Sequence, residues 1–354
     1  MIERYIREDL RNWENYQVQP VTGRKMDANE SPFPLDQSVR EMLSAWILEK
    51  EDLRLYPDTD NTVLREAIAA YSGLSPENVT CGVGSDQLID YLTKLFLEPG
   101  ETILVPSPSF SMYQTAAEIN HGKAVSFPLE PENDFQFSAE MILKSLKEVR
   151  PKILFLCSPN NPTGQGLKRE DLLSILSKAD CVVVLDEAYG EFAENETLDL
   201  ISRFPNLVSL RTFSKAYGLA GLRVGYALAD PEMIRAIDRV RAPYNLNTFS
   251  QIAASCVIGR AEYKEHICTI ISERDRMYKA LGALEGLKGF HCYPSQANYL
   301  FMRSDLPNLG ARLLEKGLLV RAYGGKMSAY TRVSVSDPET NTLFLEAMKE
   351  ILLP

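Results

Sequence analysis

The chain is poor in the residues that build metal sites. Three histidines, His121, His266 and His291, stand far apart, and six cysteines (Cys81, Cys157, Cys181, Cys256, Cys268, Cys292) include no Cys-x-x-Cys pair. With no ligand spacing of either kind, no metal site is expected. Several of the cysteines sit within apolar runs and read as buried free thiols rather than disulfides. No long uncharged apolar run occurs, and the polar start Met1-Ile-Glu-Arg-Tyr-Ile-Arg-Glu8 lacks a signal-peptide core, so a cytoplasmic protein is expected. Positive charge is also scarce. With 38 Lys and Arg against 48 Asp and Glu, the formal net charge is -10, which disfavours nonspecific binding to nucleic acid or acidic membranes. An anionic small molecule is not excluded, because a local arginine cluster reverses the field inside a pocket.

At 354 residues the chain exceeds the usual size of one core, and a large and a small domain are expected. Residues 1–35 are polar and then prolyl (Pro20, Pro32, Pro34), which reads as an extended arm; Trp13 and Tyr16 argue against a frayed tail. Val39, Met42, Leu43, Trp46 and Ile47 recur at helical spacing, as do Leu64, Ala67, Ile68 and Tyr71, with Gly73 as a stop. Apolar runs at 102–105, 152–156, 182–185, 207–210 and 224–229 then predict strands covered on both faces. That is the pattern of a mainly parallel sheet flanked by helices, an α/β fold. From about residue 246 the pattern changes to a helical region over 250–282, strands at 298–302 and 330–335 and a last helix over 343–352. The predicted division is an arm (1–35), a large domain (36–245) and a smaller α+β domain (246–354).

Ligands in such sheets bind beyond the carboxyl ends of the strands, where Asp186 and residues 212–215 fall. Lys215 lies in Ser209-Leu-Arg-Thr-Phe-Ser-Lys-Ala-Tyr-Gly-Leu-Ala-Gly-Leu-Arg223. A lone lysine is usually a solvated surface charge. This one follows an apolar strand and sits among Thr212, Ser214 and Arg223, which together suit a phosphate. A partly desolvated lysine amine attacks carbonyls. Asp186 closes the run Cys181-Val-Val-Val-Leu-Asp186; it is either a turn acid or the carboxylate that keeps a pyridine nitrogen protonated. Tyr189, otherwise a core tyrosine, is placed to reach a phenolic ring oxygen. The lysine, the hydroxyls, the arginine and the acid together point to pyridoxal phosphate chemistry.

Gly82-Val-Gly84-Ser85-Asp86 opens an apolar helix, an arrangement that brings backbone amides to a phosphate. The third glycine of the dinucleotide fingerprint is absent, since position 87 is Gln, which argues against a nicotinamide enzyme. Cys157-Ser-Pro-Asn-Asn-Pro-Thr-Gly164 is a proline-rich turn that also offers the Asn161 amide to a ring oxygen, and Asn161–Pro162 is a candidate cis bond. Phe110, in Pro106-Ser-Pro-Ser-Phe-Ser-Met-Tyr113, is either core or a stacking partner for a flat ring.

Ser158-Pro-Asn-Asn-Pro-Thr-Gly164, Asp186-Glu-Ala-Tyr189 and Ser214-Lys-Ala-Tyr-Gly-Leu-Ala-Gly-Leu-Arg223 resemble the motifs of the fold-type-I, pyridoxal-phosphate-dependent class I/II aminotransferases. The likeness runs over nearly the whole chain. Asp27-Ala-Asn-Glu-Ser-Pro32, Arg54-Leu-Tyr-Pro-Asp58 and Ala242-Pro-Tyr244 add a similarity to the histidinol-phosphate branch of that family. The resemblance implies that Lys215 carries the cofactor as a Schiff base and shuttles a proton. It implies that Asp186 pairs with the ring nitrogen, that Asn161 and Tyr189 bond the phenolic oxygen and that Phe110 stacks on the ring. Ser85, Asp86, Thr212, Ser214 and Arg223 would hold the cofactor phosphate, with Tyr56 reaching it from the other subunit of a homodimer. For the substrate it implies Tyr16, Arg321 and Arg332 on the anionic group, with Asn29 and Asn298 nearby; planar arginine forks suit such groups.

The implied reaction is transamination between histidinol phosphate and 2-oxoglutarate, a step of histidine biosynthesis. Two departures fall near the substrate end. Asn29-Glu-Ser-Pro32 replaces a common Asn-Glu-Asn-Pro, and Val333-Ser-Val-Ser-Asp337 replaces Ile-Thr-Val-Gly-Thr. Three alternatives share much of the pattern: an aromatic amino acid aminotransferase, a threonine-phosphate decarboxylase, and a cofactor-binding regulatory module. The last would carry a basic DNA-binding domain, which an acidic chain beginning almost at the arm does not suggest.

Overall fold

In the computed structural model, residues 2–11, 13, 23–49, 54–193 and 197–353 are described; Tyr16 lies outside them. Strands β2 (Val79–Val83), β3 (Thr102–Ser107), β4 (Lys123–Pro128), β5 (Ile153–Cys157), β6 (Val182–Asp186), β7 (Leu207–Thr212) and β8 (Val224–Ala229) form one sheet in the order β2-β8-β7-β6-β5-β3-β4. The pairs from β4 through β7 are parallel. Strand β8 runs antiparallel to both β7 and β2. An antiparallel return needs no crossover helix, so the loop 213–223 turns back at the carboxyl end of β7 and keeps Lys215 there.

The continuous hydrophobicity of these strands has a direct cause. Successive side chains point to opposite faces, and each face carries its own core. Leu154, Leu156, Val183 and Leu185 enter one core, while Ile153, Phe155, Cys157 and Val184 enter the other.

A second sheet joins β1 (Arg24–Met26), β9 (His291–Tyr293), β10 (Tyr299–Arg303), β11 (Leu318–Ala322) and β12 (Tyr330–Ser334) in the order β1-β11-β12-β10-β9. Strand β1 pairs parallel with β11, so residues 24–26, expected in an extended arm, form the edge of the small sheet. The helical region expected over 250–282 is two helices, Thr248–Val257 and Ala261–Gly282, separated at Gly259, whose φ of +77° is a left-handed conformation that glycine adopts without steric cost. The long second helix packs against the C-terminal helix Pro338–Leu352. None of the described cysteines is paired, and Cys81, Cys157 and Cys292 are buried whereas Cys268 is exposed. No helix among the described residues is long and apolar enough to cross a membrane.

Candidate active site

A cavity of about 460 Å³ opens where the carboxyl ends of the large sheet meet the edge of the small one. It is lined by Asp186, by the segment carrying Thr212, Ser214 and Lys215, and by Arg321 and Arg332. Local geometry fixes the first side. Gly84 has φ +71°, a conformation that opens the helix Gly84–Phe96 directly from β2. Its amide donates to the carbonyl of Arg223 at 2.9 Å. A side chain at Gly225 would meet the Ser85 nitrogen at 2.3 Å, so the loop, the helix start and β8 are pressed together.

Arg223 itself is left-handed at φ 54°, an uncommon conformation for a non-glycine residue. That twist brings its guanidinium to Asp86 Oδ2 at 3.2 Å and to Ser214 Oγ at 3.5 Å. Ser85, Asp86, Thr212, Ser214 and Arg223 all line the cavity. Free amides at a helix start beside a guanidinium and a hydroxyl make an anion cradle. Thr212 is partly committed elsewhere: its Oγ1 accepts the Ser214 N–H at 3.1 Å and donates to the carbonyl of Val224 at 3.3 Å.

Across the floor, the Asp186 carboxyl is buried at the end of β6. Its Oδ2 accepts the Tyr113 hydroxyl at 2.6 Å and its Oδ1 the Ala188 N–H at 3.0 Å. Burial pushes its pKa up to about 6, opposed by those two donors. Lys215 Nζ donates to the Ala28 carbonyl at 2.8 Å. Its pKa falls to about 8, first because it is buried and then because Arg332 is near. The amine therefore titrates within about a unit of physiological pH, and a fraction of it is neutral there.

The other predicted residues divide. Phe110 lines the cavity and meets Tyr113 edge-on. Tyr189 accepts the Asn29 amide on its hydroxyl at 3.0 Å. Asn161 Oδ1 accepts from Arg332 Nη1 at 2.5 Å, which leaves its Nδ2 as the donating end. The Asn161–Pro162 bond is cis. Arg332 Nη2 donates to the Asp27 carbonyl at 2.6 Å, and its buried Nε has no hydrogen-bond partner among the described residues. Asn29 borders the cavity, but its side chain bridges Tyr189 and Ser334. Asn298 lies behind it, fully buried, with Nδ2 donating to the Asn29 carbonyl at 3.0 Å. Tyr56 stands outside the cavity, 81% exposed and stacked on Tyr244 at 4.6 Å.

Two residues escaped the sequence reading. Tyr113, at the end of the Phe110 segment, is the side-chain donor to Asp186. Lys25 lines the cavity from β1 and is paired with Glu30; a three-residue edge strand leaves no periodicity to find.

The model of the family described as "Aminotransferase class I and II" matches residues 23–348. The chain belongs to that family. It is 39% identical over 357 residues to a histidinol-phosphate aminotransferase of Thermoanaerobacter sp. (strain X514), with 100% of both chains covered. It is 38% identical to one of Ruminiclostridium cellulolyticum, covering 99% of each. The fold is similar to the crystal structure of histidinol-phosphate aminotransferase from Sinorhizobium meliloti in complex with pyridoxal-5'-phosphate. That match has a TM-score of 0.85 at 26% identity and covers 94% of this chain and 91% of that one.

The residues of this aminotransferase fit that cofactor. The deciding observation is Asp186, a buried carboxylate with two neutral donors and no ion-pair partner among the described residues, which suits a protonated ring nitrogen. The anion cradle, the aromatic Phe110 and the depressed Lys215 border the same cavity.

Proposed function

We propose that this aminotransferase uses pyridoxal 5'-phosphate to exchange the amino group of histidinol phosphate with 2-oxoglutarate. The products are imidazole-acetol phosphate and L-glutamate, in a reversible step of histidine biosynthesis. The observation that carries the reading is the convergence of Lys215, Asp186 and the Arg223 cradle at one cavity that Arg321 and Arg332 also line. The full-length likeness to enzymes named for this substrate supports the choice of amine.

When bound, the cofactor supplies an aldehyde that condenses with amines and a ring that withdraws electrons from the substrate Cα. Ser85, Asp86, Thr212, Ser214 and Arg223 would hold its phosphate; Asp186 would hold the proton on its ring nitrogen. Asn161 Nδ2 and the Tyr189 hydroxyl would face its phenolic oxygen, with Phe110 across the ring. Lys215 Nζ, which donates to the Ala28 carbonyl in the cofactor-free chain, would hold the cofactor and would be the base that moves the proton from the substrate Cα. Its lowered pKa leaves a sizeable fraction as free amine near neutral pH. Arg332, Arg321 and Tyr16 would bind the anionic end of the substrate, with Asn29 beside the cavity and Asn298 behind it, holding the Asn29 carbonyl.

The same proposal includes a cytoplasmic homodimer with shared sites. Tyr56 and Leu48 are 81% and 86% exposed, and Met42, Ile47 and Val63 are exposed apolar side chains too. A partner covering these residues would receive Tyr56 at its cofactor phosphate. Light scattering of the purified protein, with Leu48→Glu as the disrupting variant, tests the assembly; a monomeric native protein would exclude shared sites.

The activity is tested on the holoenzyme by adding histidinol phosphate and then 2-oxoglutarate while following the visible band. Bleaching and recovery are expected. Bleaching by phenylalanine but not by histidinol phosphate would make this an aromatic aminotransferase. Release of carbon dioxide from threonine phosphate would make it a decarboxylase.

A further inference from the structure

Tyr113 lies in the helix Met112–Ile119 and is buried. Its ring stacks on Phe155 with centroids 4.7 Å apart and 13° between planes, and meets Phe110 edge-on at 5.6 Å. Two aromatic contacts therefore fix the ring, and the hydroxyl is delivered to Asp186 Oδ2 at 2.6 Å. The titratable groups facing that carboxylate are Tyr113 itself, Cys157, Tyr189, Asp86 and Glu187. None is a cation, and Tyr113 is the only side-chain hydrogen-bond donor to Asp186 among the described residues.

We propose that Tyr113 is a positioning residue for the cofactor ring: its hydroxyl fixes the Asp186 carboxylate in place and keeps it ionised, so that the ring nitrogen stays protonated. The physical ground is that a donor to a carboxylate stabilises the charged form, more so where water is excluded. One side chain also ties Phe110, which would stack on the ring, to Asp186, which would hold the proton on the ring nitrogen. A lost hydroxyl would loosen the carboxylate and favour the proton on Asp186 rather than on the ring. Less positive charge on the ring then raises the basicity of the nitrogen that Lys215 shares with the cofactor. The inference rests on the cofactor assignment above.

The test is Tyr113→Phe, which removes the hydroxyl and keeps the ring, alongside Phe155→Leu, which loosens the packing and keeps the hydroxyl. The holoprotein is titrated with pH while its visible band is followed, and cofactor affinity is measured by dialysis. Tyr113→Phe is expected to raise the midpoint of the band by about one pH unit and to weaken cofactor binding by about tenfold. Phe155→Leu should leave the midpoint in place. An unchanged midpoint in Tyr113→Phe, or an equal shift in Phe155→Leu, overturns the proposal. A native protein without any pH-dependent visible band overturns instead the reading of Lys215 on which it rests.

Discussion

Asp186→Asn should stabilise the protein when the cofactor is absent, while removing the group that the reaction needs. Burial raises the pKa of this carboxyl from 3.8 to about 6. A shift of that size corresponds to a cost of about 3 kcal/mol for carrying the charge at neutral pH. The sign follows from the direction. A raised pKa means that the folded state holds the proton more tightly than the unfolded one. The penalty is therefore absent below pH 3.8, grows as pH rises toward about 6 and is constant above it. Asparagine carries no charge at any of these values. Its Oδ1 can still accept a hydrogen bond, but its Nδ2 faces the Ala188 N–H or the Tyr113 hydroxyl that the second oxygen now receives. That mismatch costs about 1 kcal/mol or somewhat more, so a net gain of about 1–2 kcal/mol is expected at pH 7.5.

Urea unfolding of cofactor-free protein and variant, at pH 7.5 and again at pH 5, measures it. The advantage of Asp186→Asn should shrink by about 1 kcal/mol at the lower pH, since part of the ionisation cost has gone. Saturating cofactor should reverse the order, because a ligand that binds only the folded state stabilises in proportion to its affinity. An Asp186→Asn protein no more stable than the native one at pH 7.5, or an advantage that does not change with pH, would refute the reasoning.

In cofactor-free protein the Lys215 amine should react with an aldehyde reagent along a pH profile with a midpoint near 8 rather than 10.5, read by mass spectrometry of the modified peptide. A midpoint at the ordinary lysine value would show the amine to be solvated. Gly225→Ala should cost about 1–3 kcal/mol and sharply weaken cofactor binding, because its Cβ would fall 2.3 Å from the Ser85 nitrogen and 2.4 Å from the Gly84 carbonyl carbon; native affinity would mean that the helix start is not tightly seated. Arg211→Met should cost about 3–5 kcal/mol in chemical denaturation. It strands Glu187, 3.2 Å from the guanidinium, and Glu191, whose pKa burial already raises. A loss below about 1 kcal/mol would place those carboxyls in reach of water.

What the sequence revealed depends on how each residue is fixed. Strands β5 to β8 were legible because both of their faces are buried, so apolar residues run unbroken. Strand β4 was not, since it lies at the sheet edge and alternates only weakly, with Phe127 its one buried side chain. Strand β2 contains Thr80 and Gly82, and β1 and β9 have three residues each, too few for a period. The site divides in the same way. Lys215, Thr212, Ser214 and Arg223 are arranged by one loop, so their spacing in the chain already describes the cradle. Tyr113 and Asp186 meet across 73 positions, and only the crossing of a helix over a strand end brings them together.

Asn29 combines both cases. Its left-handed φ of 54° and its place in a recognisable motif are local, but its meaning comes from three distant partners, Tyr189, Ser334 and Asn298. The carbonyls of Asp27, Ala28 and Asn29 are taken by Arg332, Lys215 and Asn298 in turn. A segment that reads as part of an extended arm is therefore held by residues at and behind the cavity, and its conformation belongs to the site rather than to the terminus. Sequence periodicity cannot express that kind of order, because the hydrogen bonds run from side chains to backbone carbonyls, which every residue possesses.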